Sequence, residues 1–258
     1  MNMGTMLRKL VKLSILTVTY NSFATLKDAY KSLSAQSYTQ WEWVVQDGGS
    51  KDGTQQWLEG LADTRVNWVS APDNGIYDAL NKAVSRANGD WIGLLHSDDL
   101  YPHPDVLSHV MNLSEGYNAV YGDLQYVQAV DTSKVLRYWK SGGFSKAKLV
   151  RGWMPPHPTL FLKKKLYDLV GEFDTQFNIA ADYDFVLRVL SRPELRIIYL
   201  PEVLMLMRQG GASSKVTNLL QKSYQDFLVL QKNKFKNPTV TLIFKITRKL
   251  PQFLFIKD

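Results

Sequence analysis

The run Trp91-Ile92-Gly93-Leu94-Leu95-His96-Ser97-Asp98-Asp99 decides how the rest of the chain is read. An apolar strand signal stops abruptly, and two adjacent carboxylates stand at its end. In open α/β sheets, ligands bind outside the carboxyl ends of the strands. Two neighbouring carboxylates repel each other unless a cation neutralises them, and oxygen donors of this kind suit Mg²⁺ or Mn²⁺. A divalent ion with open positions would in turn favour a diphosphate. The same pair reads equally as a polar turn in which Asp98 or Asp99 caps a helix after Pro102. The flanking segments weigh between these readings.

Upstream, residues 13–20 are β-branched and apolar and read as a buried first strand, closed by Asn21-Ser22. Phe23, Leu26, Tyr30 and Leu33 then recur at helical spacing. A second strand, 41–45, ends at Gln46-Asp47, and a glycine-rich turn, 47–54, leads into a helix over 54–61. Residues 66–69 form a third strand. Ile76, Leu80, Ala83, Val84 and Ala87 then share one helix face, stopped at Asn88-Gly89. Strand–helix units repeated in this way before the strand at 91 imply a mostly parallel, Rossmann-like sheet. The ends of its first, second and fourth strands (17–21, Asp47 and Asp98-Asp99) fall on one edge.

Downstream the pattern loosens. Strands are expected at 119–123, 124–130 and 135–139. Trp153-Met154-Pro155-Pro156-His157-Pro158 is excluded from helix and inner strand, because proline lacks a backbone donor. Residues 181–190 read as a helix whose first turn carries Asp182 and Asp184, as the helix dipole favours. Strands at 195–200 and 203–207 follow, and from Ser213 the chain is helical and basic.

With 258 residues, 45% hydrophobic, the chain can bury a full α/β core. The absence of cysteine excludes disulfides, thiolate metal sites and cysteine nucleophiles. The net charge of +7 is unevenly placed. Residues 1–204 carry 21 Lys and Arg against 22 Asp and Glu, a net of −1, whereas residues 205–258 carry 10 against 2, a net of +8. The basic character therefore belongs to the tail. No apolar run reaches the roughly 18 residues that span a bilayer, and the start lacks a secretory core, so a cytoplasmic protein is expected. Neither G-x-G-x-x-G nor G-x-x-x-x-G-K occurs, which lowers the dinucleotide and P-loop readings.

Several motifs fall in one order: Thr17-Val18-Thr19-Tyr20-Asn21; Asp47-Gly48-Gly49-Ser50-Lys51-Asp52-Gly53-Thr54; Asp73-Asn74-Gly75 with Asn81-Lys82; Asn88-Gly89-Asp90; His96-Ser97-Asp98-Asp99; and Ala181-Asp182-Tyr183-Asp184 with Arg188. The series resembles the family 2 glycosyltransferases of the GT-A fold, inverting enzymes of bacterial polysaccharide biosynthesis. The resemblance covers roughly residues 13–214. It implies an α/β GT-A domain over 1–212, with a nucleotide-sugar half near 13–100 and an acceptor half near 101–212, followed by a helical extension, 213–258. It implies sugar transfer from a nucleotide-sugar donor, UDP-linked by family frequency, to a glycan or lipid-linked acceptor, with Mn²⁺ or Mg²⁺ as cofactor.

Carried over by position, Thr17, Thr19, Tyr20 and Asn21 would border the nucleotide and Asp47 would hydrogen-bond its base. Asp98 and Asp99 would lie at ribose and metal, with Asp99 the stronger ligand. Asn74, Gly75, Lys82 and His96 would line the donor diphosphate. His157, Trp153 and Arg208 would belong to the acceptor side or to a closing loop. Asp182 matches the general base, with Asp184 as its rival. The chain departs from the pattern at His96, where the family often has aspartate, at Leu80, where many members have arginine, and at Ala181, where a glutamate is usual.

In the tail, bulky apolar residues from Val240 to Phe255 alternate with Lys245, Arg248, Lys249 and Lys257. Such a stretch either packs on the body or lies on an anionic membrane surface, interrupted at Pro251. The second reading places the protein peripherally at the inner face of the cytoplasmic membrane, near a lipid-linked acceptor. Nucleic acid is not expected, since no recognition motif accompanies the charge. The competing functions are a sugar-nucleotide nucleotidyltransferase and a non-catalytic carbohydrate-binding protein on the same fold.

Overall fold

A computed structural model describes residues 12–210 and 219–248. The first strand, β1 (Leu13–Thr19), is buried along its whole length. It leads through α1 (Phe23–Ser34) to β2 (Trp41–Asp47), through α2 (Thr54–Glu59) to β3 (Val66–Ser70), and through α3 (Ile76–Arg86) to β4 (Trp91–Leu94). These strands run parallel in the order β3-β2-β1-β4. Their register sets Thr19 beside Asp47 and Leu16 beside Leu94. The segment after β4 therefore emerges at the same edge as the β1–α1 and β2–α2 turns.

Side chains of a strand alternate between faces, so a strand buried on both sides feeds two cores. Leu13 and Ile15 join the layer holding α1 and α2, whereas Leu16 and Val18 join the layer holding α3.

The second half widens the sheet. After β4 come β5 (Asp99–Leu100), α4 (Val106–Asn112), β6 (Ala119–Val127), β7 (Val135–Trp139) and α5 (Lys146–Leu149). A 3₁₀ turn (His157–Thr159) precedes β8 (Phe161–Lys163), α6 (Lys164–Val170), α7 (Ala181–Leu190) and β9 (Ile197–Arg208). The described strands form one sheet, β3-β2-β1-β4-β8-β6-β9-β5, with β7 paired on β6. β8 runs antiparallel to its neighbours β4 and β6, and β9 is parallel to β6.

Strands that the sequence divides are continuous here. β6 runs through Asp123, which reads as a turn residue in sequence. Its buried carboxylate accepts from the hydroxyls of Tyr138 and Tyr199 and from the Ser141 N–H. β9 runs through Pro201 by an irregularity in its pairing, Tyr121 facing Tyr199 and Asp123 facing Val203. A bulge is where a strand tolerates proline. Neither Asp98 nor Asp99 caps the next helix, since α4 starts behind Asp105.

The chain ends, among the described residues, in α8 (Leu219–Lys232) and α9 (Pro238–Thr247). α8 buries Val229 and Leu230 in the same core as α7. α9 sits against it with Thr241 and Lys245 inward and Val240, Ile243, Phe244 and Ile246 exposed.

Candidate active site

The site is assembled from the loops at the carboxyl edge. Behind β2, Asp47 is fully buried and pins the glycine-rich turn. Its Oδ2 accepts from the N–H groups of Gly49 (3.1 Å) and Ser50 (3.0 Å) and from Ser70 Oγ (2.6 Å), and its Oδ1 accepts from Ser50 Oγ. The carboxylate thus holds the loop in shape at the edge of the site. Asn21 does likewise from the β1 side. Its backbone is left-handed (φ 50°), a conformation asparagine tolerates, and its Oδ1 accepts the Lys51 N–H at 2.9 Å.

Thr17 is also committed. It is buried, its hydroxyl donates to Leu95 O at 2.5 Å, and it accepts from Trp43 Nε1 at 2.7 Å. These bonds tie β1 to β2 and to the segment after β4. Thr19 and Tyr20 remain available. The Thr19 hydroxyl is buried without a partner among the described residues, and the Tyr20 ring is 65% exposed.

The acid pair behaves as two different groups. Asp98 is half-buried, and its carbonyl accepts from Arg208 Nη1 at 3.3 Å. Asp99 is closed from solvent, and both its carboxylate oxygens lack a partner among the described residues. Burial first, then the neighbouring Asp98, pushes the Asp99 carboxyl well above the usual range, and Arg208 opposes this only in part. A buried carboxylate with two orphaned oxygens is the donor that a hard cation fits. Asp98 is thus the solvent-facing member of the pair and Asp99 the enclosed one.

Across the edge stands α7. Asp182, in its first turn, is half-buried. Its Oδ1 accepts from the Tyr183 N–H at 2.8 Å and from Tyr77 OH at 3.3 Å, while Oδ2 makes no hydrogen bond among the described residues. Asp184 is fully buried between Arg188 Nε (2.8 Å), Lys232 Nζ (3.1 Å) and Asn233 Nδ2 (2.9 Å), which removes it as a rival. His96, at the end of β4, lies within electrostatic reach of both Asp98 and Asp182. Burial pushes its imidazole down against those two carboxylates. His157 is buried edge-on to Phe173, its ring centroid 5.6 Å away, and burial pushes it down to about 4 although Asp182 pulls the other way. Both imidazoles are thus held toward the neutral form beside the carboxylates.

Other expected residues lie apart or are occupied. Lys82 donates to Asp78 Oδ2 (2.8 Å) and Pro72 O (3.1 Å), so its charge is paired. Asn74 and Gly75 form the exposed turn before α3; Gly75 has φ 105°, and nothing lies within 4 Å of where its Cβ would be. Trp153 is core, not acceptor platform: it is buried edge-on to Tyr121 and donates to Ser141 O at 2.9 Å. Arg208 ends a strand instead of belonging to a loop, and pairs with Asp28 at 2.6 Å. Residues 211–213, expected to continue that loop, lie outside the described residues.

One more cluster has metal-ligand chemistry, His103, His109 and Glu202, but it lies part-way along β9. His103 Nδ1 accepts the Asp105 N–H at 3.2 Å, which leaves its proton on Nε2, 2.7 Å from Glu202. That nitrogen donates to a carboxylate and offers no lone pair to a metal. A cleft of about 420 Å³ lined by Lys163, Lys165, Glu194 and Arg196 adjoins the amino end of β4, where Trp91 pairs with Lys163, and includes no residue of the site.

Sequence reasoning missed Tyr77, which reads as a solvent-facing helix residue. It stacks on Phe173 and reaches Asp182 from α3, and no sequence spacing reports a contact of that range.

Residues 14–178 match the family model described as Glycosyl transferase family 2. An uncharacterized glycosyltransferase of Mycobacterium tuberculosis is 32% identical over 180 residues, 68% of this chain and 67% of that protein. A PGL/p-HBAD biosynthesis glycosyltransferase of Mycobacterium bovis is 29% identical over 212 residues, 80% of each. Among solved structures, S. aureus TarS 1–349 in complex with UDP-GlcNAc superposes with a TM-score of 0.69 at 17% identity, covering 95% of this chain and 76% of that one. The mannosyltransferase PcManGT from Pyrobaculum calidifontis, in complex with GDP-Man and Mn²⁺, gives 0.64 at 18% identity, covering 95% and 73%. These structures share the overall GT-A fold with this chain. The chain belongs to glycosyl transferase family 2.

Proposed function

We propose that the protein is a metal-dependent inverting transferase that moves a sugar from a nucleoside diphosphate donor, UDP-linked, to a hydroxyl of a glycan or lipid-linked acceptor. The observation that carries this reading is His96, which lies close enough to feel the charge of both Asp98 and Asp182. The acid pair and the free carboxylate therefore address one space.

Within it, Thr19 and Tyr20 border the nucleotide, while Asp47 and Asn21 keep the adjoining loop in shape. Asp98 and Asp99 would hold Mg²⁺ or Mn²⁺, which when bound supplies positive charge to a departing diphosphate. Oδ2 of Asp182 takes the proton of the acceptor hydroxyl as its oxygen bonds to the sugar carbon and the bond to the diphosphate breaks. Such proton transfer contributes about 10² to 10⁴ in rate. A single displacement of this kind inverts the sugar carbon and needs no enzyme nucleophile. The nucleotide sugars named with TarS and PcManGT, and the Mn²⁺ named with the latter, support this assignment of donor and metal.

The acceptor belongs, in this reading, to a membrane surface at the cytoplasmic face. Among the described residues no helix is long and apolar enough to cross a bilayer. The exposed apolar residues of α9 beside the basic tail support peripheral docking.

The test is a panel of UDP-glucose, UDP-galactose, UDP-GlcNAc and GDP-mannose, assayed for nucleoside diphosphate release with manganese and with EDTA. Manganese-dependent release from one donor is expected. Donor binding without release under any metal would favour a non-catalytic carbohydrate-binding protein, and formation of a nucleotide sugar from a sugar phosphate would favour a nucleotidyltransferase.

A further inference from the structure

Asp182 opens α7, and the backbone that aims it is held from the C-terminal extension. The residue before the helix, Ala180, supplies no side-chain cap, so N–H groups at this helix start need an outside acceptor. Gln225 of α8 provides it. Its Oε1 accepts from the Ile179 N–H at 3.0 Å and from the Ala180 N–H at 3.2 Å, and its Nε2 donates to Asn178 Oδ1 at 2.8 Å. Gln225 is 7% exposed. From α3, Tyr77 OH donates to Ile179 O at 2.9 Å and reaches Asp182 itself. Three successive residues before the catalytic helix are thus gripped by two side chains from distant parts of the chain.

The grip has its own foundation. Asp226, next to Gln225, forms a buried ion pair with Lys245 of α9 at 2.7 Å, and the Lys245 ammonium lies 3.2 Å from the Tyr183 ring centroid. That aromatic ring belongs to the neighbour of Asp182. The extension therefore meets α7 at the turn where the base is presented.

We propose that Gln225 is a positioning residue for Asp182, making the C-terminal helices part of the catalytic frame. The proposal rests on reading Asp182 as the base. Loss of the amide would let the segment from Asn178 to Ala180 shift, and a displacement of about 1 Å at a reacting group costs on the order of a hundredfold in rate.

The experiment uses the full chain with manganese and the donor, UDP-GlcNAc or GDP-mannose among others, that the panel above selects. Gln225→Met keeps the volume and removes the acceptor. It should lower kcat about tenfold to a hundredfold, leave donor KM and UDP affinity within about twofold, and speed amide exchange at Ile179 and Ala180. Gln225→Glu still accepts both N–H groups, with the Asn178 amide turned to donate, and should restore kcat and amide protection. An unchanged kcat in Gln225→Met, a parallel fall in donor affinity, or no rescue by Gln225→Glu would each overturn the positioning role. Asp182→Asn, run alongside, separates the two ideas. Its near-normal turnover would remove the base and the proposal together, whereas its inactivity beside a fully active Gln225→Met would remove the positioning role alone.

Discussion

Asp182 and Asp184 stand two positions apart on one helix start and have opposite uses. Asp184 is fully paired in the core, while Asp182 keeps one oxygen without a bond among the described residues. Asp182→Asn should preserve donor affinity, measured by UDP titration, and reduce transfer by about 10² to 10⁴. Near-normal turnover would move the base elsewhere. His157 gives a second prediction at this scale. Burial holds its imidazole at about 4 in the fold against 6.5 unfolded. The unfolded chain therefore gains a proton first, and stability falls as pH drops from 6.5 to about 4. Relative to His157→Gln, the native protein should lose up to about 3 kcal/mol across that window, read by urea unfolding at several pH values. Parallel pH curves would contradict it. Sequence exposed Asp182 and the acid pair because a carboxylate at a strand end or a helix start stands out locally. Asp47 and Thr17 were legible as important but not as occupied, since their bonds to Ser70 and Leu95 depend on strand register. Gln225 carried no signal, because a glutamine in a polar helix resembles any solvated residue.

The first strands and helices could be read at the level of elements because two local patterns coincide there, apolar runs and a 3.6-residue repeat. β6 and β9 could not, since Asp123 and Pro201 have the chemistry of turns and are kept in strands by tyrosine hydroxyls and a bulge. The docking of α9 depends on one backbone position. Gly152 has φ 66°, and a Cβ there would lie 2.6 Å from Thr241 O and from Lys245 Cβ. Gly152→Ala should cost about 1–3 kcal/mol from overpacking, with a further penalty for the left-handed backbone. The damage should appear as faster amide exchange across α9 (Pro238–Thr247) while β1 and β2 stay protected. Unchanged exchange in α9 would show that the close approach is not what seats it.

Over the whole molecule, charge and apolar surface separate. The body is close to neutral, and the positive charge collects in the C-terminal segment. There α9 turns Ile243 and Phe244 outward, with Lys236 and Arg248 exposed at its ends. The sequence left open whether this segment packs on the body or meets a membrane, and in the structure one face of α9 packs while the other is uncovered among the described residues. The full chain should float with phosphatidylserine-containing vesicles, more weakly at high salt, and poorly with phosphatidylcholine alone. Ile243→Asp with Phe244→Asp should abolish flotation, and equal flotation of that variant would refute the docking face.

The most direct test of the central claim, that the acids ending β4 serve a cation and a diphosphate, is the melting temperature of the whole chain. It is to be read in EDTA and in manganese with UDP, for the native protein and for Asp98→Asn and Asp99→Asn. Burial raises the Asp99 carboxyl, so without metal its ionisation costs stability increasingly as pH climbs above 3.8. In EDTA at pH 7.5, Asp99→Asn should therefore melt no lower than the native chain. Manganese with UDP at about 100 times its dissociation constant adds about 2.7 kcal/mol, or about 5–10 °C, to the native protein and little to either variant. Equal manganese-dependent shifts in all three proteins would contradict the assignment of these carboxylates.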